Sequence, residues 1–344
     1  MSIQPQFDKF HRRIKLSRQD DRYKKARKRD DSITNAVKLA FKEAGYEVIE
    51  NFLVGSHAYG TAIVPLNGDY DIDRALVISD DGAPDDPVVP KAATLDVLEN
   101  RGFKNAKIKK PCVTADYATD DIHIDYPIYK RSNFQYYLAV GKKNSDAENR
   151  IWADADPRGL IEWIRNRDYY GPSPEAKHEQ FQRIVRYLKR WRDHQFSTSV
   201  AAKIYSIGIA VMVKEKFAPS FNAEGFRQDL SALRFTVDAI LNGSYFSYQS
   251  EGRFTVTVRL PVNPWRDIFD GASVETGSQF RNKLQTLKNK LDEVAGLDDE
   301  RKQCQILNKL FGDDFEVPDP PSKSGTASKA VYPTAGAVGT SQGA

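Results

Sequence analysis

The stretch Asp69-Tyr70-Asp71-Ile72-Asp73-Arg74-Ala75-Leu76-Val77-Ile78 admits few conformations. It begins in strict polar/apolar alternation and ends in an unbroken apolar run, the pattern of a β-strand that is half exposed at its start and buried at its end. On such a strand Asp71 and Asp73 share one face, while Tyr70 and Ile72 point into the core. Two carboxylates held close together on a rigid element repel, and one stays protonated unless a cation lies between them. The pair is therefore a natural seat for Mg²⁺, which takes oxygen ligands and keeps positions open for substrate phosphates. Asp69 has the same parity as Asp71, but the apolar residues flanking Asp71 favour Asp71 with Asp73. A bare D-x-D is more often a solvated strand edge, so its surroundings carry the weight.

Those surroundings point one way. Residues 46–54 (YEVIENFLV) read as a strand ending at Gly55-Ser56, 16 residues before Asp71. Glycine there lets backbone N–H groups approach a phosphate, and the serine hydroxyl adds a donor. Residues 112–118 and 121–129 read as two further strands joined by a tight turn. In the second, His123 and Asp125 share a face, with Ile122, Ile124 and Tyr126 on the other. If this strand neighbours the first, Asp125 joins Asp71 and Asp73, and three carboxylates suit a two-metal phosphoryl-transfer centre. Asp121 has the parity of Asp125 but falls at the turn. His123 reads as a structural neighbour, since Mg²⁺ prefers oxygen.

The rest of the chain suggests two lobes and a tail. Its 344 residues, 40% apolar and 28% charged, suffice for a sizeable core divided between two domains. Residues 1–19 look irregular. A helix is expected over about 20–44, with Ile33, Val37, Ala40 and Phe41 on its apolar face. Residues 157–166, 175–194, 204–217, 273–295 and 298–311 also read as helices, and 253–260 as a strand. The expected divisions are 1–150, a mixed α/β lobe; 151–317, a helical lobe; and 318–344, a flexible tail in which 20 of 27 residues are Gly, Pro, Ser, Thr or Ala. The longest near-continuous apolar run, Ile204–Val213, is too short to cross a membrane. The N-terminus carries no secretory pattern, and two distant cysteines suggest neither a disulfide scaffold nor a metal site, so a reducing cytoplasm is expected.

Net charge is +4, yet residues 11–30 carry ten Lys/Arg against three Asp. The run Arg22, Lys24, Lys25, Arg27, Lys28, Arg29 reads as a solvated helix face in preference to a nucleic-acid surface. On the helix 175–194, Phe181, Ile184, Val185, Leu188 and Trp191 form the apolar stripe. Lys189 lies at its edge among Arg183, Arg186, Arg190 and Arg192.

Taken together, GSHAYGT, LNGDYDIDRALVI, KKPCVTADY and IHIDYPIY resemble the nucleotidyltransferase superfamily of DNA polymerase beta. More narrowly, they are similar to the bacterial cyclic-oligonucleotide synthases (CD-NTases) related to cyclic GMP-AMP synthase and the oligoadenylate synthetases. RIVRYLKRWRDHQF, IYSIGIAVMV and KLFGDDFEVPDP extend the resemblance to roughly residues 5–318. It implies an α+β, two-lobed fold with a mixed sheet in the first lobe and a mostly helical second lobe. It implies Asp71, Asp73 and Asp125 as catalytic metal ligands for Mg²⁺, with Mn²⁺ as a substitute. It further implies that Gly55, Ser56, Lys189 and Ser206 contact the donor triphosphate. Where relatives often have Gln before Gly-Ser, this chain has Val54.

The implied activity is condensation of nucleoside triphosphates into a cyclic di- or trinucleotide messenger, read by a separate effector in antiphage defence. No zinc-ligand cluster of the kind the DNA-sensing animal relatives use is visible, so a nucleic-acid activator is not expected. The small terminal residues Thr340–Ala344 fit a conjugating enzyme of the E1/E2 kind, as some relatives are joined through their C-terminus. The competing classes are a terminal RNA or small-molecule nucleotidyltransferase and an inactive nucleotide-binding module.

Overall fold

The computed structural model describes residues 2–17, 19–66, 70–117 and 122–320. In chain order the elements are α1 (Gln4–Ile14), α2 (Asp21–Glu43), β1 (Val48–Leu53), α3 (Gly55–Tyr59), β2 (Tyr70–Ser79), α4 (Val88–Asn100), β3 (Lys104–Ile108), β4 (Val113–Tyr117), β5 (Ile122–Tyr126), β6 (Ile128–Ser132), β7 (Gln135–Val140) and β8 (Ile151–Ala155). There follow α5 (Pro157–Arg165), α6 (Pro174–Gln195), α7 (Thr198–Ala201), α8 (Ser206–Lys216), α9 (Asp229–Leu241), β9 (Phe246–Ser250), β10 (Arg253–Val256), α10 (Val274–Ala295) and α11 (Glu300–Phe311).

β2 is the axis of an eight-stranded mixed sheet. β1 pairs antiparallel with its second half, Leu53 opposite Arg74. β5 and then β6 run parallel to it, Tyr70 opposite Ile122 and Leu76 opposite Ile128. The register is continuous across Pro127, whose carbonyl accepts from the Leu76 N–H at 3.1 Å. The single strand expected over 121–129 is thus interrupted by one proline without losing its pairing. β4 and β3 extend the sheet beside β5, and β7 and β8 beside β6, all antiparallel.

Alternation along β2 sorts the layers. Ile72, Leu76 and Ile78 pack with Ile124, Tyr126 and Ile128 under α2 and α4, whose Ala26, Ile33, Val37, Phe41 and Leu98 complete that core. Ala75 and Val77 face the other way, toward Phe52, Tyr129, Leu138 and Val140. Asp71 and Asp73 have that second parity. A separate, larger core is built on α6, α8, α9, α10 and α11.

Two expectations need correction. Residues 1–19 are not irregular. Phe7, Phe10 and Ile14 recur at helical spacing and are fully buried, placing α1 in the core of the helical lobe. The boundary at 150 falls too early, because β8 pairs with β7 and still belongs to the sheet. On α6 the basic residues Arg183, Arg186, Lys189 and Arg190 are all buried. Strands β3, β7 and β8 and helix α9 had no counterpart in the sequence reading. Asp69, Asp121 and Thr340–Ala344, singled out above, lie outside the described residues.

Candidate active site

The parallel pairing of β2 with β5 sets Asp71 opposite His123 and Asp73 opposite Asp125. A carboxylate oxygen of Asp71, one of Asp125 and a ring nitrogen of His123 lie within 4.8 Å of one another. The third expected acid, Asp73, is not in that group. Its carboxylate tucks under Gly55, which opens α3 at φ +61°, and a Cβ on Gly55 would overlap Asp73 Oδ2. The Val54 N–H donates to the Asp73 carbonyl at 3.0 Å, and His57 Nε2 stands 3.1 Å from the Asp71 carbonyl. Thus the contacts of Val54, Gly55 and His57 with β2 assemble Gly55 and the acid pair.

Charge is distributed unequally among the acids. Burial, then Asp125, raises the Asp71 carboxyl above the usual range, although one edge of this side chain is open to solvent. Burial, then Asp71 and Asp125, raises Asp73 well above it. At Asp125 burial again opposes charge, but His123 and Lys109 outweigh it and hold the carboxyl at about 2. In return Asp125, joined by Asp116, lifts the His123 imidazole to about 9 against the effect of burial. His123 Nδ1 lies 2.5 Å from Asp116 Oδ1 and its Nε2 2.8 Å from Thr114 Oγ1. Both ring nitrogens are therefore engaged.

Asp125 Oδ1 is buried without a hydrogen-bond partner; Lys109 Nζ at 3.6 Å and His123 Nε2 at 3.4 Å face it only at ion-pair range. An orphaned carboxylate oxygen opposite a second carboxylate, with a third at hand, is a donor set that fits a hard divalent cation. Sequence reasoning missed Lys109, Thr114 and Asp116. The pairing of β4 with β5 places Thr114 opposite Asp125 and Asp116 opposite His123, a register no local pattern announces.

From the helical lobe, α6 grips the chain after α3 by its carbonyls. Gln182 donates to Tyr59 O, Arg186 to Gly60 O and Ala62 O, Lys189 to Thr61 O at 3.2 Å, and Arg190 to Val64 O. Of these cations, Arg186 also meets His11 and Arg190 pairs with Asp314. Lys189 has Asp71 among the charges that favour its protonated form. Burial first, then Arg192, brings it down to about 8. Ser206 begins α8, and its Oγ accepts from Arg192 at 2.9 Å. Ser56 lines a cavity of about 330 Å³ with Lys15, Tyr23, His57, Gln182 and Arg186.

Residues 1–168 match the family model described as Second Messenger Oligonucleotide or Dinucleotide Synthetase domain. Over that first part, the chain is similar to the second-messenger oligonucleotide and dinucleotide synthetases. The matched span includes Gly55, Ser56, Asp71, Asp73 and Asp125, and ends before Lys189 and Ser206. The chain is 27% identical over 188 residues to the cyclic GMP-AMP synthase of Escherichia albertii, across 52% of this chain and only 40% of that protein. Solved structures share the fold more fully. CdnG of Bradyrhizobium diazoefficiens, in complex with GTP, has a TM-score of 0.66 at 14% identity, over 91% of this chain and 96% of its own. CdnC of E. coli MS115-1, with ATP, has 0.63 at 16%, over 91% and 98%. Vibrio cholerae DncV, a cyclic AMP-GMP synthase, has 0.54 at 19%, over 78% and 69%. The two-lobed α+β architecture is thus the one seen in these solved structures.

Proposed function

We propose that the chain condenses nucleoside triphosphates into a cyclic di- or trinucleotide, with release of pyrophosphate. The observation that carries this reading is the convergence of Asp71 and Asp125 across β2 and β5, with Asp73 and Gly55 beside them. Asp71, Asp73 and Asp125 would hold Mg²⁺, or Mn²⁺ in its place, which when bound neutralises triphosphate charge and acidifies a ribose hydroxyl.

The chain's own residues bind and orient. Gly55 lets the backbone approach the donor phosphates, and Ser56 offers a hydroxyl. Lys189 contacts the triphosphate from α6 as a compact point charge. Ser206, held by Arg192, adds a phosphate contact from α8. Asp125 Oδ1, free of hydrogen bonds, faces the acceptor hydroxyl and orients it for in-line attack. The nucleotides lie between the sheet lobe, ending near β8, and the helical lobe that follows. A second round on the linear intermediate closes the ring.

The solved complexes of CdnC with ATP and of CdnG with GTP support triphosphate substrates. CdnC has also been solved in complex with HORMA-deltaN, which favours a protein partner over a nucleic-acid activator here. In the cell the product would act on a separate effector in cytoplasmic antiphage signalling. The test is incubation with four labelled nucleoside triphosphates and Mg²⁺, then phosphatase, then mass spectrometry. A phosphatase-resistant cyclic nucleotide is expected. An extended RNA, a modified small acceptor, or binding without pyrophosphate release would each overturn the reading.

A further inference from the structure

Asp30 lies in the middle of the buried stripe of α2, between Ala26 and Ile33, and is 0% exposed. A carboxylate on an apolar stripe is costly unless fully partnered. Its partners are unusual in where they come from. Arg74 Nε donates to both oxygens at 2.9 and 2.8 Å, and its second terminal nitrogen donates to Oδ2 at 2.6 Å. The Tyr126 hydroxyl donates to Oδ1 at 3.1 Å, and Arg27 approaches Oδ2 at 2.5 Å.

Arg74 immediately follows Asp73, and Tyr126 immediately follows Asp125. Because strand side chains alternate, each catalytic acid points forward while the next residue points backward. Both of those backward residues end on one carboxylate. Arg74 also donates to Asp31 Oδ1 at 2.8 Å and to Asn51 Oδ1, on β1, at 2.7 Å. The node therefore joins α2, β1, β2 and β5 directly behind the metal-binding face.

We infer that Asp30 is a positioning residue that fixes the relative orientation of Asp73 and Asp125 from behind the sheet through Arg74 and Tyr126. The inference rests on the metal-site reading above. Outer partners that orient ligands commonly change metal affinity ~10- to 100-fold when removed. α2 also carries the basic run, of which Arg27 belongs to the node itself. Anything that shifts α2 would thus be felt at the acids through this one carboxylate.

The test is Mn²⁺ binding to the full chain without nucleotide, followed by electron paramagnetic resonance well below the melting temperature, with thermal melting alongside. Asp71→Asn tests the site reading on its own. If wild type and Asp71→Asn bind Mn²⁺ equally, both the site and the inference fall. With Asp71→Asn impaired, Asp30→Asn is expected to bind Mn²⁺ ~10-fold more weakly while still folded. Tyr126→Phe removes one hydrogen bond from the same carboxylate and is expected to weaken binding measurably, by a smaller factor than Asp30→Asn. It carries the test should Asp30→Asn fail to fold. A merely structural role would lower the melting temperature and leave Mn²⁺ affinity at the wild-type value, and that result in either folded variant overturns the inference.

Discussion

Asp73 is charged only at a cost. Burial and two neighbouring carboxylates raise it well above the usual range. A carboxyl raised in the fold contributes stability below its unfolded value, and that contribution is lost as pH rises through the folded value. Metal-free protein should therefore lose stability from about pH 4 upward on account of this group. Asp73→Asn removes the repulsion, so its metal-free melting temperature at pH 7 should exceed that of wild type by a few degrees. The same variant should release pyrophosphate at least ~10²-fold more slowly, as loss of a preorganised electrostatic group does. A scan of melting temperature against pH, with and without Mg²⁺, checks the sign: Mg²⁺ stabilises wild type and leaves the variant much less affected. Lys189 behaves oppositely, since its buried ammonium titrates near 8. On the proposed reading it is the protonated form that meets the triphosphate, so KM for nucleotide should climb as pH rises past about 8. In Lys189→Met, KM should be ~10- to 100-fold higher and flat across that range, the loss of one charge-assisted contact. A wild-type KM that does not change through this window would remove Lys189 from the triphosphate site.

The helix α3 is only five residues long, and its first residue decides the site. Gly55 combines a left-handed φ with a Cβ position already taken by Asp73 Oδ2. Gly55→Ala must therefore strain the backbone and displace the carboxylate together. We expect a loss of ~10²-fold or more in kcat/KM with about 1–3 kcal/mol of destabilisation, read by single-turnover assays and urea unfolding. Glycine-serine at a strand end was legible because the strand alternation stops there. β2 was legible for the same reason: alternation gives way to an apolar run as the strand passes from the cleft into the core. α1 was equally written, in Phe7, Phe10 and Ile14, but eleven residues opening on Pro5 make a brief signal beside the basic run that follows. α9 carries Ala232, Leu233, Thr236, Val237 and Ile240 at helical spacing among β-branched residues, which blurs helix against strand. β3, β7 and β8 were not legible, since their identity comes from pairing with strands already in the sheet. The burial of the α6 cations was hidden for a related reason. Their partners are carbonyls 59–64 and the carboxylates Asp229 and Asp314, distant in sequence and unmarked by composition.

The two ends of the described chain close on each other. Phe315 is fully buried, with its ring 5.2 Å from Phe7 and 5.1 Å from Phe10. Asn308 Nδ2 donates to the Phe315 carbonyl at 3.0 Å, Arg190 pairs with Asp314, and Arg13 pairs with Glu316. Arg301 Nε donates to the Pro318 carbonyl at 3.1 Å. The segment after α11 is thus a strap that fastens α1 to α6 and α11, and so the start of the chain to its helical core. Residues 321–344 contain Tyr332 as their one large side chain and offer little to bury. A cut after Val317 removes the Arg301 contact, whereas a cut after Pro320 spares every contact named here. Truncation after Pro320 should leave melting temperature and turnover of the purified protein unchanged. Phe315→Ala should cost about 3–5 kcal/mol, the usual range for emptying a buried phenylalanine site. Because the strap holds the lobe that carries Lys189 rather than touching the acids, the damage should appear as lost stability and a raised KM before any loss of Mn²⁺ affinity. Equilibrium unfolding of both variants, with Mn²⁺ titration of whichever stays folded, separates the two effects. A Pro320 truncation that loses turnover while keeping its melting temperature would instead put residues 321–344 in the catalytic cycle.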